Sequence, residues 1–150
     1  MRPKVTILIG ISGSGKSTMI KSELGDTIIC SADKHFTDEK GNYNFNPTQL
    51  GDAHAACFYD AVEAVRNGLG VVIDNTNTSI AEISPYIALA NAYQAELRIV
   101  VIRCDAGVAA GRNKHGVPEK AIRGMASRLD GTLKYWPPFW PEPEVRDAAL

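Results

Sequence analysis

Short apolar runs alternate along the chain with segments of helical periodicity. The apolar runs, rich in β-branched residues as buried parallel strands are, cover Val5 to Ile9, Thr27 to Cys30, Val71 to Asp74 and Leu97 to Cys104. Helical spacing predicts helices over about Lys16 to Leu24, Pro47 to near Gly68, Ser79 to Tyr93, a short stretch after Asp105, and Pro118 to about Leu129. The alternation predicts an α/β domain, a three-layer αβα sandwich with a parallel sheet of four to five strands.

Local signals refine these boundaries. Asn46 is placed to cap the second helix, with Pro47 at its first position and Gln49 where a capping box needs it. Pro85 predicts an irregular first turn in the third helix. We expect one domain over residues 1–135, followed by a Pro- and aromatic-rich tail over residues 136–150 that packs on the domain or is flexible. Stacking on an adenine ring or self-association are the alternatives for this tail.

Composition places the chain among ordinary globular proteins. Its 150 residues are 45% hydrophobic and 22% charged, with a formal net charge of −1, so no overall field attracts a membrane or nucleic acid. There is no apolar run long enough for a membrane span and no signal-peptide pattern, and the three cysteines lack a paired spacing. These features predict a cytoplasmic protein without a membrane partner. Basic residues outnumber acidic ones between residues 96 and 135, so this region is predicted to face an anionic ligand.

The first strand leads into a phosphate-binding sequence. Residues 10–17 read Gly-Ile-Ser-Gly-Ser-Gly-Lys-Ser, which matches the P-loop pattern between a strand and a helix. In such a loop the backbone N–H groups and the helix N-terminus bind phosphate oxygens, the lysine reaches the β- and γ-phosphates, and the serine holds Mg²⁺. We therefore expect ATP with Mg²⁺ to bind to Gly10, Ser12, Gly13, Ser14, Gly15, Lys16, Ser17 and Thr18, with Ser17 as the metal ligand.

Polar residues follow the second and third predicted strands. Asp33 comes just after the second strand, at the sheet edge where ligands bind in open α/β folds, and its carboxylate can accept a proton from an attacking hydroxyl. The run Asp74-Asn75-Thr76-Asn77 ends the third strand at the same edge. We expect Asp74, Thr76 and Asn77 to bind the acceptor; a water-mediated Mg²⁺ contact or a purely structural network is the alternative.

A basic connector, residues 112–118, joins the last two predicted helices. Its composition is typical of a lid, and Arg112 is predicted to contact the nucleotide and to stabilise charge on the transferring phosphate. Lys16, Asp33 and Arg112 are thus the candidate catalytic residues. A solvated basic loop is the competing interpretation.

Together these motifs resemble the small P-loop kinases related to bacteriophage polynucleotide 5'-hydroxyl kinase. The resemblance runs from about Val5 to Leu129 and rests on Ser31-Ala-Asp33, Gly41 to Pro47, Asp74 to Asn77, Arg112-Asn113, His115 to Pro118 and Met125. It implies a bacterial or phage-infected cell, Asp33 as general base, Lys16 and Ser17 on nucleotide and Mg²⁺, and Arg112 on the transferring phosphate. Asp74 and Thr76 match the segment that lines the acceptor side. One departure is Phe36, which stands where the phage enzyme has an arginine that grips a substrate phosphate.

Three functions are consistent with these residues. The first is transfer of the γ-phosphate of ATP to the 5'-hydroxyl of a polynucleotide. The second is transfer to a nucleoside, a modified DNA base or another small hydroxyl, which the departure at Phe36 favours. The third is an ATP-binding switch or ATPase without an acceptor, against which the presence of Asp33 argues because a switch needs no acceptor base.

Overall fold

The computed structural model describes residues 2–148. The first residue of the predicted domain, Met1, and the last two of the predicted tail, Ala149 and Leu150, lie outside the described part. The strands are β1 Lys4–Ile9, β2 Ile28–Cys30, β3 Val71–Asp74, β4 Glu96–Arg103 and β5 Glu144–Asp147. The helices are α1 Lys16–Glu23, α2 Leu50–Arg66, α3 Ile80–Ala92, α4 Ala106–Arg112 and α5 Glu119–Lys134, with short 3₁₀ turns at Ala32–Phe36 and Pro47–Gln49.

All five strands form one parallel sheet in the order β2-β3-β1-β4-β5. This confirms the predicted α/β fold. The chain leaves β1 toward the β2 side of the sheet, and after β3 it crosses to the β4 side. The carboxyl ends of the central strands therefore border the point where the winding reverses, which is where open α/β sheets bind ligands.

Alternating side chains of β1 lie on the two faces of the sheet. Val5, Ile7 and Ile9 lie in the larger core, to which α2, α3 and α5 contribute. Leu8 points to the other face and packs with Met19 and other residues of α1. Each of these β1 side chains is fully buried, and burial of one such side chain is worth about 1.5–3 kcal/mol. Burial on both faces explains why the strand reads as a continuous apolar run.

The element boundaries differ from expectation in several places. Helix α5 continues past Leu129 to Lys134, because Leu133 extends its apolar stripe onto the core. Pro85 lies inside α3, whose first turn is capped by Ser79. Asn46 caps the short turn Pro47–Gln49 and not α2 itself, and Gln49 forms no side-chain cap.

The segment after α5 returns to the sheet. Trp136 and Trp140 pack edge to face, with ring centroids 5.1 Å apart, and both contact the larger core. The chain then pairs with β4 as β5, so the predicted tail contributes the fifth strand. Among the described residues, the helices lack the length and apolar character that crossing a membrane would require.

Candidate active site at the carboxyl edge of the sheet

A cavity of about 700 Å³ opens at the carboxyl ends of β1, β2 and β3. Its size is in the range of small-molecule sites. It is lined by Ser12 to Thr18 of the P-loop, by Ser31 and Asp33 after β2, by Asp74 at the end of β3 and Asn75 and Thr76 after it, and by Arg112 to His115. The structure therefore brings the predicted phosphate-binding, acceptor-side and lid segments together around one space.

The P-loop conformation depends on glycines at defined points. Gly13 has φ +83°, and a Cβ built on it would lie 2.1 Å from the carbonyl oxygen of Ala109 in α4. Gly15, at the start of α1, has φ +104°. Positive φ angles turn the backbone so that its N–H groups can converge on an anion, and the glycines adopt them at little cost.

Lys16 is partly buried and folds back over the loop. Its ammonium donates hydrogen bonds to the carbonyl oxygens of Gly10 at 2.8 Å and Ile11 at 3.2 Å. Burial lowers the pKa of this lysine, while Asp74 and Asp33 act in the opposite direction. The two carboxylates are thus the counter-charges of the P-loop lysine.

The pKa of the Asp74 carboxyl is shifted in the direction opposite to that of Lys16. Burial raises the pKa of its carboxyl, and the Lys16 ammonium offsets only part of that shift. The charge is therefore held at an energetic cost, which is common at functional sites.

Two local contacts position Asp33. Ser31 caps the 3₁₀ turn by accepting a hydrogen bond from the Asp33 N–H at 3.1 Å. The Asn75 side chain accepts a hydrogen bond from the Ala32 N–H at 2.9 Å and thereby ties this turn to the end of β3. The Asp33 carboxylate is half exposed and borders the same cavity as Lys16.

The predicted lid, residues 112–118, contributes four residues, Arg112 to His115, to the lining of the same cavity. Arg112 ends α4 and lines the cavity. The Asn113 side chain donates to the carbonyl oxygen of Val117 and accepts from the His115 N–H, which fixes the turn of the lid. Lys114 and His115 also line the cavity, so the lid presents several basic groups to it.

Two predicted contacts need correction. Asn77 does not line the cavity: it is buried, and its side-chain amide donates to the carbonyl oxygen of Leu8 at 2.8 Å. Gly10 does not line the cavity either; its N–H donates to the carbonyl oxygen of Thr76, and a Cβ would come within 2.5 Å of the buried Ser14 hydroxyl. The hydrogen bonds of both residues join the end of β1 to the segment after β3.

The sequence also left some lining residues unassigned. Ser31, Asn75, Asn113, Lys114 and His115 line the cavity without having been assigned to it individually. Ser31 could have been found from its capping position two residues before Asp33. His115 carries no local signal that separates it from a solvated loop residue.

Two curated relatives match most of this chain but are far longer. It is 31% identical over 129 residues to human NEDD4-binding protein 2, covering 81% of this chain and 7% of that protein. It is 25% identical over 134 residues to a bifunctional polynucleotide phosphatase/kinase of Schizosaccharomyces pombe, covering 84% of this chain and 29% of that protein. The chain thus spans less than a third of either relative.

Solved structures share the fold. The Pnkp1/Rnl/Hen1 RNA repair complex contains a chain that superposes with a TM-score of 0.77 at 22% identity, over 95% of this chain and 49% of that one. A gluconokinase from Sinorhizobium meliloti 1021 superposes with a TM-score of 0.64 at 16% identity, over 99% of this chain and 84% of that one. At these identities the likeness establishes the architecture.

The match to a family model covers most of the described fold. A model described as an AAA domain matches residues 5–131, a span that includes the P-loop, Asp33, the end of β3 and the lid. This span agrees closely with the extent of the resemblance seen in the sequence. The chain therefore belongs to this AAA domain family and contains a P-loop kinase domain.

Proposed function

We propose that this protein is an ATP-dependent kinase that transfers the γ-phosphate to the 5'-hydroxyl of a polynucleotide. The observation that carries the proposal is that the Asp33 carboxylate and the P-loop lysine border one cavity. A phosphate donor bound on the loop and a hydroxyl activated by Asp33 would meet there. Holding both reactants in line supplies much of the barrier reduction in such a transfer.

The lining residues fit a nucleotide triphosphate. The backbone of the P-loop and the N-terminus of α1 would receive the phosphates, and the Lys16 ammonium would exchange its carbonyl partners for phosphate oxygens. Arg112 and Lys114 of the lid would face the transferring group and stabilise its charge.

The oxygen donors around Ser17 fit Mg²⁺. Its hydroxyl shares the cavity with the carboxylates of Asp33 and Asp74, and hard oxygen ligands are what Mg²⁺ prefers. No group of three or more acidic, histidine or cysteine side chains in the described part of the chain is arranged to hold a metal ion alone. The ion would therefore be bound mainly through the nucleotide, where it neutralises phosphate charge.

The names of two matched proteins support a polynucleotide acceptor. One curated relative is a polynucleotide phosphatase/kinase, and one structural neighbour belongs to an RNA repair complex. Two cationic side chains at the lid, Arg112 and Lys114, suit an acceptor that itself carries phosphates.

A second candidate, transfer to a small-molecule hydroxyl, is favoured by Phe36. This residue is 5% exposed and packs with Ala32 and Ala53, so the position contributes no charged group to the cavity. The gluconokinase neighbour has a name that denotes a kinase for a small hydroxylated molecule.

The test is transfer from γ-labelled ATP with Mg²⁺ to 5'-hydroxyl DNA and RNA oligonucleotides, alongside nucleosides and small alcohols. We expect label on an oligonucleotide end, abolished by Lys16→Ala and reduced about 10²- to 10⁴-fold by Asp33→Asn, which should still bind ATP. Lys21→Ala and Asp26→Asn, at exposed positions outside the cavity, are the matched controls.

The acceptor panel separates the candidates. Label on a small alcohol or nucleoside alone would replace the polynucleotide acceptor with the second candidate. ATP hydrolysis that no acceptor stimulates, with no label transferred, would overturn both.

A further inference from the structure

The loop after β2 and the lid meet at the Asp33 carboxylate. The Tyr43 hydroxyl donates a hydrogen bond to Asp33 Oδ1 at 3.3 Å, and His115 Nε2 of the lid lies 3.8 Å from Oδ2. The rings of Tyr43 and His115 are stacked with their centroids 4.2 Å apart and their planes 36° apart. The Tyr43 hydroxyl is thus hydrogen-bonded to one oxygen of the candidate base, and the His115 ring lies close to the other.

Tyr43 is held firmly enough to act as a fixed donor. Its ring packs edge-on against Phe36 with centroids 6.4 Å apart, and Phe36 is itself buried against Ala53 of α2. An antiparallel bridge between Thr37 and Tyr43 holds the backbone at the same place. The aromatic residue at position 36 therefore supports the tyrosine that contacts the base.

The charges around the pair keep the phenol protonated. Burial, followed by the negative charge of Asp33, raises the pKa of Tyr43 to about 12. The charge of Asp33 also acts on Lys16 and Asp74, which line the same cavity. At neutral pH the hydroxyl of Tyr43 can therefore only donate to the carboxylate.

We propose that Tyr43 is a positioning residue for Asp33 and that His115, by stacking on Tyr43, couples the lid to the orientation of that carboxylate. A hydrogen bond to Oδ1 limits rotation of the carboxylate and keeps Oδ2 on the side of His115. Each carboxylate oxygen has two lone pairs, so Asp33 keeps the capacity to accept the proton of the acceptor hydroxyl. This role rests on the kinase function proposed above.

The Tyr43–Asp33 contact can be tested without any acceptor. The ¹³Cζ resonances of labelled tyrosines would be followed against pH, with the Tyr43 signal assigned by its loss in Tyr43→Phe. We expect the midpoint of Tyr43 to lie above the ordinary tyrosine value, because burial and the charge of Asp33 raise its pKa, and we expect Asp33→Asn to lower that midpoint. An unchanged midpoint in Asp33→Asn would show that the contact is absent and would overturn the proposal.

The kinetic consequence is tested with the same variant. Tyr43→Phe keeps the ring and its stacking, so we expect kcat for transfer to fall about 10-fold while KM for ATP stays within about twofold. His115→Ala should lower kcat in the same direction, and Tyr59→Phe on the exposed side of α2 should leave it unchanged.

The outcomes separate this role from the function on which it rests. Full kcat in Tyr43→Phe, with normal transfer by the unmodified protein, would overturn the positioning role alone. A parallel rise in KM and loss of folded protein would show a merely structural residue and would also overturn it. Absence of transfer by the unmodified protein to every acceptor would overturn the kinase function and this role together.

Discussion

At the scale of single residues, Gly13 occupies a position where a side chain has no room. An added Cβ would lie 2.1 Å from the Ala109 carbonyl oxygen, and the residue has φ +83°. We expect Gly13→Ala to lower the free energy of unfolding in urea by about 2 kcal/mol or more, because strain and the clash act together. The displaced P-loop should also bind ATP more weakly.

Gly124 provides the matched control for this change. It lies on the exposed side of α5, and an added Cβ would meet nothing within 4 Å. Gly124→Ala should therefore raise the free energy of unfolding by about 0.5–1 kcal/mol. Equal effects of the two substitutions would contradict the role assigned to the contact between Gly13 and α4.

Removing the charge of Asp74 is expected to stabilise the folded protein. Since burial raises the pKa of this carboxyl in the folded protein, the unfolded chain ionises first, and stability falls as pH rises from the ordinary aspartate range to the raised pKa. We expect Asp74→Asn to raise Tm at pH 7 but not at pH 3, where the carboxyl is protonated in both variants. Transfer activity should fall at the same time if Asp74 serves the site.

For Asp38 we expect the opposite change of Tm in the same experiment. Hydrogen bonds from Asn42 lower the pKa of its carboxyl, so its contribution is present above the ordinary aspartate range and is lost as pH falls through the lowered pKa. Asp38→Asn should lower Tm at pH 7. A lower Tm of Asp74→Asn at pH 7 would show that the burial cost assigned to Asp74 is wrong, and a higher Tm of Asp38→Asn would contradict the role given to the hydrogen bonds from Asn42.

At the scale of elements, the sequence predicted the strands and helices that are encoded by their own consecutive residues. Consecutive residues in the middle of β1, β3 and β4 are buried on both faces, so their apolar character is continuous and visible. Strand β5 has the sequence Glu-Val-Arg-Asp, and its Val145 is 53% exposed. An edge strand of this kind depends on its partners, here the hydrogen bonds to β4 and the paired contact of Arg98 with Glu144.

The same distinction applies to the candidate site. The P-loop was predictable because its chemistry and its backbone conformation are encoded in consecutive residues. The approach of Tyr43 and His115 to Asp33 was not, because it depends on how two distant loops pack. Asn77 was assigned to the acceptor from its position in the polar run that begins at Asp74. The first three residues of that run line the cavity, whereas Asn77 is buried in the interior.

At the scale of the whole molecule, the described structure makes the segment after α5 part of the sheet. Trp136 and Trp140, the two tryptophans of the chain, contact the same core as β1, α2 and α3. Arg98 of β4 pairs with Glu144 at 2.8 Å, and Arg146 pairs with Glu23 of α1. The last strand is thus tied to both its neighbour and the helix that follows the P-loop.

This arrangement predicts a single cooperative unfolding transition. Tryptophan fluorescence reports only on the segment after α5, whereas far-ultraviolet circular dichroism reports mainly on the helices. We expect the two urea curves to coincide in midpoint and slope, as for a two-state domain. A fluorescence transition at clearly lower urea, with the helical signal unchanged, would instead make residues 136–148 a unit that detaches while the P-loop and lid stay folded. Coincident curves would mean that a boundary at residue 135 divides a single folding unit, because removing β5 exposes the edge of β4.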